Sequence, residues 1–255
     1  EIDKAFEITR KENRPALISF TVAGDNTKKK SLEILKSISE TVDIVEWGMA
    51  FNCPGADGPE IQNSSYRAIK NGINLKDTFS LIKKYKNSKP LILMGYYQLI
   101  YNYGEKKFIK QCKDAGVSGL IVVDLPWPDN KNFSKLCKKN SICFVQLIAP
   151  TTSSIRIKSI VRDSHQLIYQ VSNVNVTGGK LKSTAKTILK NYEIIKKINP
   201  SKNVMIGFGI TKDTIANFKT ANGLVVGSAC CRVISIALKN RLNPAKKLNN
   251  MLNNL

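Results

Sequence analysis

Eight short apolar runs recur along the chain, and each is followed by a segment whose apolar residues repeat at helical spacing. The runs occupy 16–21, 43–47, 90–95, 119–124, 142–148, 167–172, 203–209 and 223–227. Strands that are apolar along their whole length are typical of a parallel sheet covered by helices. In 255 residues this alternation predicts an α/β fold, a (β/α)8 TIM barrel in which residues 1–255 form a single domain. A doubly wound open sheet is the alternative, and both the strand count and the lack of an early Gly-rich dinucleotide fingerprint disfavour it.

The chain is strongly basic, with 40 Lys and Arg against 19 Asp and Glu and a formal charge of +21. The lysines are scattered through the predicted helices and form no stripe interleaved with aromatic residues, so nucleic-acid binding is disfavoured. A positive field would instead attract anionic substrates. No uncharged apolar run reaches the length of about 18 residues that a membrane-spanning helix needs, so no membrane association is expected.

Six cysteines and a single histidine give few options for metal or nucleophilic chemistry. The cysteines are Cys53, Cys112, Cys137, Cys143, Cys230 and Cys231. None forms a C-x-x-C pair and four lie within apolar patterns, which predicts reduced, mostly buried thiols in a cytoplasmic protein. His165 precedes a strand, far in sequence from any cysteine pair, and is expected at the surface or at a helix end. Zinc binding and a Ser-His-Asp or Cys-His mechanism are therefore disfavoured.

Polar and Gly-rich residues concentrate where the predicted strands end, which is the face that carries the chemistry in barrels of this kind. Three of these strand ends are rich in glycine, namely V-T-G-G at 176–179, I-G-F-G-I at 206–210 and V-V-G-S-A at 225–229. Glycine lets backbone N–H groups approach an anion closely, and the partial positive charge of a helix N-terminus favours the anion. These stretches predict a phosphate site, to which the hydroxyl of Ser228 adds a donor.

Two carboxylates accompany the second strand, with Glu46 near its end and Asp57 eleven residues later in a loop rich in Gly and Pro. A Glu46 side chain held among apolar neighbours would have a raised pKa and could transfer protons near neutral pH, unless it turns outward or pairs with a lysine. Asp57 stands in A-D-G-P, where an aspartate is unremarkable, and its local sequence favours an ordinary turn residue. Asp124, in V-D-L-P, is equally well explained as a carboxylate that bonds loop amides.

Three tyrosines, Tyr96, Tyr97 and Tyr169, lie at or near predicted strand ends. They could line the pocket of an aromatic substrate, although aromatic side chains in barrel strands more often serve packing alone.

Taken together, the motifs resemble those of the tryptophan synthase α subunit family. The block E-W-G-x-x-F-x-x-P-x-A-D-G-P-x-I-Q is accompanied, in family order, by F-x-x-A-G-D, L-M-G-Y-Y, D-L-P, A-P-T-T, V-T-G, G-F-G-I and V-G-S-A. The family is a (β/α)8 barrel that cleaves indole-3-glycerol phosphate to indole and glyceraldehyde 3-phosphate, a retro-aldol reaction without a cofactor in this chain. The resemblance implies the same lyase activity in tryptophan biosynthesis. It also implies a cytoplasmic α2β2 heterotetramer with a β subunit that carries pyridoxal phosphate.

The resemblance also implies roles for individual residues. Glu46 matches the general acid–base that protonates indole C3 and helps to deprotonate the glycerol hydroxyl. Asp57 matches the aspartate that accepts a hydrogen bond from the indole N–H, and this replaces its interpretation as an ordinary turn residue. The phosphate cradle is matched by Gly178, Gly207, Phe208, Gly209, Gly227 and Ser228, and the indole pocket with its mobile loop by Phe20, Met94, Tyr96, Tyr169 and Thr177.

The chain departs from the family pattern on the rim of the expected site. The loop after the second strand reads A-F-N-C-P at 50–54, where P-F-S-D-P is usual. The loop after the sixth strand reads S-N-V-N-V-T-G at 172–178, where S-R-x-G-V-T-G is usual. Gln98 replaces an Asn, and Trp127 replaces a Pro or a small residue. These changes leave the core motifs intact and predict low intrinsic activity or an altered interface with the β subunit.

Two alternatives to a working α subunit remain open at this point. One is a lyase that releases free indole without a partner. The other is a catalytically weak barrel that serves mainly to bind and activate the β subunit.

Overall fold

The computed structural model describes residues 1–86, 89–171, 185–207 and 215–255. The strands are β1 Ala16–Val22, β2 Ile44–Gly48, β3 Leu91–Gly95, β4 Gly119–Val122, β5 Cys143–Phe144, β6 Gln146–Ile148, β7 Leu167–Val171, β8 Asn203–Gly207 and β9 Gly223–Val226. The α-helices are α1 Ile2–Lys11, α2 Lys28–Ile38, α3 Pro59–Lys70, α4 Leu75–Tyr85, α5 Tyr97–Tyr103, α6 Glu105–Ala115, α7 Lys131–Lys139, α8 Ser154–Asp163, α9 Ala185–Ile198, α10 Ser228–Lys239 and α11 Pro244–Leu252, and a 3-10 helix spans Ile215–Phe218. Among the described residues, no helix is long and apolar enough to cross a membrane.

Every strand pairing is parallel, and the strands follow the order β5-β4-β3-β2-β1-β9-β8-β7-β6. The two end strands, β5 and β6, are the halves of one predicted apolar run and are separated only by Val145. The Val145 N–H donates to the carbonyl of Leu120 on β4 at 2.9 Å. Because one continuous segment forms both edges, the sheet closes on itself, and the predicted (β/α)8 barrel is confirmed.

Side chains along each strand alternate between the barrel interior and the layer of helices, as the period of two for an extended chain requires. On β2, Ile44 contributes to the interior cluster, whereas Val45 and Trp47 contribute to the cluster formed with the helices. Trp47 is fully buried, and burial of an aromatic side chain of this size contributes about 1.5–3 kcal/mol or more to stability. The same alternation turns the side chain of Glu46 toward the interior.

Helix α1 covers the end of the barrel at which the strands begin. Phe6 on α1 is buried and lies against Gly223 at the start of β9. A Cβ at Gly223 would lie 2.9 Å from the ring of Phe6 and 2.9 Å from the side chain of Ile18, so glycine is needed for this close packing. Because α1 packs over this end, we expect a substrate to enter from the opposite face, where the strands end.

Several helices differ from the sequence-based expectation. Helix α3 carries buried Ser64 and Ser65 on its inner face, and these polar residues obscure the apolar repeat that would have marked it. Its start is nevertheless recognisable, because Pro59 is its first residue and proline is favoured there. The amphipathic segment 211–221 was expected to be an α-helix, and its described part forms only the 3-10 helix Ile215–Phe218.

The single histidine directly follows the C-cap residue of α8, so the helix-end position expected for it is confirmed. His165 is half-buried, and its Nδ1 accepts the N–H of Phe144 at 2.9 Å while its Nε2 lies 3.1 Å from the hydroxyl of Ser134. Burial lowers the pKa of the imidazole, so the ring is neutral and links β5 to α7.

The predicted state of the thiols is confirmed. All six cysteines are free; four are buried, Cys143 is partly buried and Cys53 is exposed.

Candidate functional site

Glu46 is one of the most deeply buried polar residues of the barrel. It lies in register between Phe20 on β1 and Ile92 on β3, and it is 1% exposed. Its Oε2 is buried and has no hydrogen-bond partner among the described residues. The burial excludes the outward-facing alternative, and no lysine among the described residues pairs with Glu46. A buried carboxyl oxygen without a partner is costly, which favours the protonated form.

Asp57 lies above the strand ends in the loop that leads from β2 into α3. Its Oδ2 accepts a hydrogen bond from the hydroxyl of Tyr96 at 2.9 Å, and the same hydroxyl accepts the N–H of Ala56 at 3.0 Å. Its backbone carbonyl accepts a hydrogen bond from Gln62 Nε2 at 2.7 Å, which ties the loop to α3. Asp57 is 5% exposed, and its Oδ1 is buried without a partner among the described residues. An ordinary turn aspartate would be solvated, so the buried position agrees with the role implied by the motif.

The two carboxyl groups differ in acidity because their surroundings differ. Burial, and then the negative charge of Asp57, raise the pKa of Glu46 to about 8. Burial raises the pKa of Asp57 to about 6, while the hydrogen bond from Tyr96 acts to lower it. At neutral pH, Glu46 therefore carries a proton and Asp57 carries a charge. Two carboxyl groups whose pKa values are separated in this way can act as a proton donor and an electrostatic stabiliser in one site.

Aromatic and apolar side chains form a narrow cavity next to Asp57. The ring of Phe51 stacks on that of Tyr96 with centroids 4.9 Å apart. The cavity is lined by Phe20, Val22, Gly48, Met49, Phe51, Pro54, Asp57, Ile61, Ser65, Met94, Gly95 and Tyr96. The predicted pocket residues Phe20, Met94 and Tyr96 thus lie together, and Phe51 is a further wall residue to which no role had been given.

Tyr169 lies on the opposite side of the barrel interior and packs on the backbone of Gly207. A Cβ at Gly207 would lie 1.9 Å from the Tyr169 hydroxyl, so only glycine leaves room for this ring. Burial, followed by the charges of Glu46 and Asp57, raises the pKa of Tyr169, which keeps its hydroxyl protonated.

The described part of the predicted phosphate cradle is the start of α10. Gly227 occupies the N-cap position, no side chain caps this end of the helix, and Ser228 is the first helical residue. Uncapped N–H groups and the helix dipole make such a terminus suited to an anion. Gly207 ends the neighbouring strand β8. The remaining residues of the predicted cradle, Gly178, Phe208 and Gly209, lie outside the described residues, as does Thr177 of the predicted pocket loop.

Asp124 and Tyr97 do not face the cavity. The carboxylate of Asp124 accepts the N–H of Tyr97 at 2.7 Å, which is the amide-bonding role considered for it. The Tyr97 hydroxyl donates to Glu105 at 2.9 Å on α6. Within the described residues, no cluster of His, Cys, Asp and Glu side chains is arranged to hold a metal ion.

Most of the described departures from the family motifs lie on the rim. Asn52 and Cys53 are exposed, whereas Ala50 packs against the interior cluster. Gln98 is exposed in the first turn of α5. Trp127 donates from Nε1 to Asp163 at 2.7 Å. Its ring also lies beneath the cationic groups of Lys131 and Arg156, at 5.0 and 5.5 Å from the ring centroid. The departures at 173 and 175 lie outside the described residues.

An ion pair with a buried carboxylate was missed by sequence reasoning. Asp25, which follows β1, binds Arg67 on α3 through two hydrogen bonds of 2.7 and 2.9 Å. The only signal was the F-x-x-A-G-D motif, and nothing in it names the partner. A pair separated by 42 positions leaves no periodic trace in the sequence.

Comparisons with known proteins point to one family. The family model described as "Tryptophan synthase alpha chain" matches residues 6–255. The tryptophan synthase alpha chain of Pelagibacter ubique is 56% identical over 254 residues, which cover 98% of this chain and 96% of that protein. The solved structure of tryptophan synthase subunit alpha from Legionella pneumophila is similar with a TM-score of 0.89 at 27% identity, covering 99% of this chain and 95% of that one. A structure of the α2β2 complex from Pyrococcus furiosus is similar with a TM-score of 0.86 at 32% identity, covering 95% and 98%.

Proposed function

Because the chain belongs to the tryptophan synthase alpha chain family, whose reaction is the cleavage of indole-3-glycerol phosphate, we propose that Glu46 and Asp57 carry out that reaction here. The observation on which this proposal rests is the buried pair itself. Both carboxyl groups present an oxygen without a partner among the described residues, and their pKa values lie on opposite sides of neutrality. Protonated Glu46 and ionised Asp57 are the forms that the cleavage requires.

Glu46 moves the proton. Its carboxyl group gives a proton to indole C3, which makes the ring an electron acceptor for the breaking carbon–carbon bond. The carboxylate that results then takes the proton of the glycerol hydroxyl as the aldehyde forms. One proton is given and one is taken, so the reaction needs no external acid or base.

Asp57 stabilises the charge that this proton creates. Protonation at C3 places positive charge on the ring nitrogen, and the Asp57 carboxylate accepts the N–H of that nitrogen. Such an interaction is strongest in a site shielded from water, and Asp57 is 5% exposed. The hydrogen bond from Tyr96 holds the carboxylate in orientation and favours its ionised form.

The rest of the site binds the two ends of the substrate. Phe20, Phe51 and Met94 offer apolar surface to the indole ring. The N-terminus of α10, with Gly227 and Ser228, offers N–H donors to the phosphate. Binding energy from the distant phosphate holds the glycerol chain in register with Glu46.

The partner that we assign to this chain is a tryptophan synthase β subunit, in an α2β2 assembly like the one named for the Pyrococcus furiosus relative. Pyridoxal phosphate belongs to that β subunit, and this chain acts without a cofactor of its own. The free thiols and the biosynthetic role of the family favour the cytoplasm as its location.

A single assay tests the function. Purified chain is expected to release indole from indole-3-glycerol phosphate, and addition of the cognate β subunit is expected to raise the rate. Because Asn52 and Cys53 depart from the family pattern on the rim, we expect the rate without the β subunit to be low. No indole release under either condition would refute the lyase function and favour the weak barrel that only activates its partner. Equal rates with and without the β subunit, together with separate elution of the two proteins on size exclusion, would favour the stand-alone lyase.

The pH dependence of kcat/KM is expected to be bell-shaped, with an acid limb near 6 from Asp57 and an alkaline limb near 8 from Glu46. Activity needs ionised Asp57, so it falls as the pH drops through about 6.

The substitution Tyr96→Phe removes the hydrogen bond that lowers the pKa of Asp57, so the acid limb should move to higher pH. Tyr101→Phe, at a tyrosine that is 69% exposed, is the matched control and should leave the profile unchanged. An unmoved acid limb in Tyr96→Phe would contradict the assignment of that limb to Asp57.

A further inference from the structure

The ion pair of buried Asp25 and partly buried Arg67 joins the chain after β1 to helix α3. Asp25 is 1% exposed, and its two carboxylate oxygens accept Nε of Arg67 at 2.7 Å and Nη2 at 2.9 Å. The hydroxyl of Ser64 also donates to this carboxylate. Two parallel hydrogen bonds from a planar guanidinium fix an angle as well as a distance, which a lysine ammonium does not do.

Arg67 connects two helices with different tasks. It lies on α3, the helix that begins directly after Asp57 and holds the Asp57 carbonyl through Gln62. On its other side, Nη1 of Arg67 approaches the hydroxyl of Ser235 on α10 at 3.4 Å. The N-terminus of α10 is the proposed phosphate site. Arg67 therefore links α3, which places the indole end of the site, to α10, which places the phosphate end.

We propose that Arg67 is a positioning residue for the cleavage reaction: by holding α3 to Asp25 and to α10, it sets the span between Asp57 and the phosphate site. The inference rests on the proposed function, because it needs a substrate that reaches from one end of the site to the other. Indole-3-glycerol phosphate has an indole ring and a phosphate separated by a short chain. A correct span places its reacting carbon at Glu46 while both ends are bound.

A change in the span should affect turnover more than binding. Each end of the substrate can still bind its own subsite when the helices shift slightly, so KM changes little. The reacting carbon no longer meets Glu46 correctly, and a misplacement of about 1 Å can lower a rate by about 100-fold. A role in folding alone would lower stability without this dependence on the substrate's two ends.

Arg67→Lys is the informative variant. It keeps the positive charge beside Asp25 but loses the planar guanidinium that binds Asp25 through two nitrogens and also reaches Ser235. We expect kcat for indole-3-glycerol phosphate to fall about 10- to 100-fold with KM changed less than about threefold. Arg14→Lys is the matched control. Arg14 makes a similar pair of hydrogen bonds, with the carboxylate of Asp43 at 2.6 and 2.9 Å, at the end of the barrel where the strands begin. This control should keep both kinetic constants near those of the unmodified protein.

The decisive measurement uses indoleglycerol, the same substrate without its phosphate. This compound does not span the site, so the rates of Arg67→Lys and of the unmodified protein should differ by less than about threefold. If Arg67→Lys loses the same factor with both substrates, Arg67 only maintains the Asp57 loop and the proposal is wrong. Kinetic constants equal to those of the unmodified protein with indole-3-glycerol phosphate would also overturn it.

A second variant tests the proposal in case Arg67→Lys does not fold. The double substitution Asp25→Asn with Arg67→Gln removes both charges together, which costs less than leaving one of them buried alone. If the thermal melt shows that Arg67→Lys is unfolded, the double variant is assayed with the two substrates and judged by the same outcomes. Indole release by the unmodified protein is measured alongside. Its absence would refute the proposed function, whereas its presence with an unaffected variant would refute only the role of Arg67.

Discussion

Replacement of Glu46 by Gln is expected to lower kcat for indole-3-glycerol phosphate cleavage by about 100- to 10,000-fold with little change in KM. Glutamine matches glutamate in size and can donate a hydrogen bond, but it cannot give up a proton to indole C3. The site should therefore keep its shape and lose its chemistry. Indole release at pH 7 measures the effect. Glu40→Gln, at an exposed glutamate at the end of α2, is the matched control and should be fully active.

The same variant has a second expected effect, on stability. Burial raises the pKa of Glu46 from 4.5 to about 8 in the folded protein. Below pH 4.5 the carboxyl is protonated in both the folded and the unfolded chain, so it contributes no pH-dependent difference. As the pH rises toward 8, the unfolded chain gains from ionisation while the folded chain does not, and stability falls. Glu46→Gln removes this loss, so its melting temperature should exceed that of the unmodified protein by several degrees at pH 8.5 and equal it near pH 4. A lower melting temperature at pH 8.5 would contradict the buried, unpaired position of the carboxyl group.

Gly207→Ala should disable the site by a different route. The new Cβ would lie 1.9 Å from the hydroxyl and 2.3 Å from a ring carbon of Tyr169. Tyr169 is 5% exposed and enclosed by the interior, so the clash must displace its ring or move β8. Overpacking of this kind costs about 1–3 kcal/mol of stability. We expect kcat/KM to fall about 100-fold or more, because a shift of about 1 Å in the site has effects of that size.

Two other glycines serve as controls for this substitution. At Gly227 the nearest atom to a new Cβ is Phe20 Cβ at 3.6 Å, an ordinary contact, so Gly227→Ala should leave the melting temperature almost unchanged. At Gly55 no atom lies within 4 Å, so Gly55→Ala should leave both stability and activity unchanged. Full activity and an unchanged melting temperature in Gly207→Ala would show that Tyr169 does not need its present position.

The architecture was readable from the sequence because it depends on local patterns. Burial of a strand on both faces and of a helix on one face produces repeats that are visible over a few residues. These repeats predicted the eight strand regions and the face of the barrel on which the site lies, but they left open whether Glu46 on β2 points inward or outward. The roles of Glu46 and Asp57 came from family motifs and stay proposals until the variants are assayed.

Only the tertiary structure decided which distant groups meet. No local pattern could join Tyr96 to Asp57 or His165 to Phe144. The contact of Arg67 with the hydroxyl of Ser235 spans 168 positions and depends on how α3 and α10 pack. Side-chain hydrogen bonds of this kind form once the helices have closed around the sheet, and they leave no periodicity in the chain. The sequence by itself therefore determined the barrel and the face that carries the site, whereas the tertiary structure decided that Glu46 is buried in the interior. The tertiary structure also decided how Asp57 is held, because Tyr96 and Gln62, which bind it, lie on other parts of the fold.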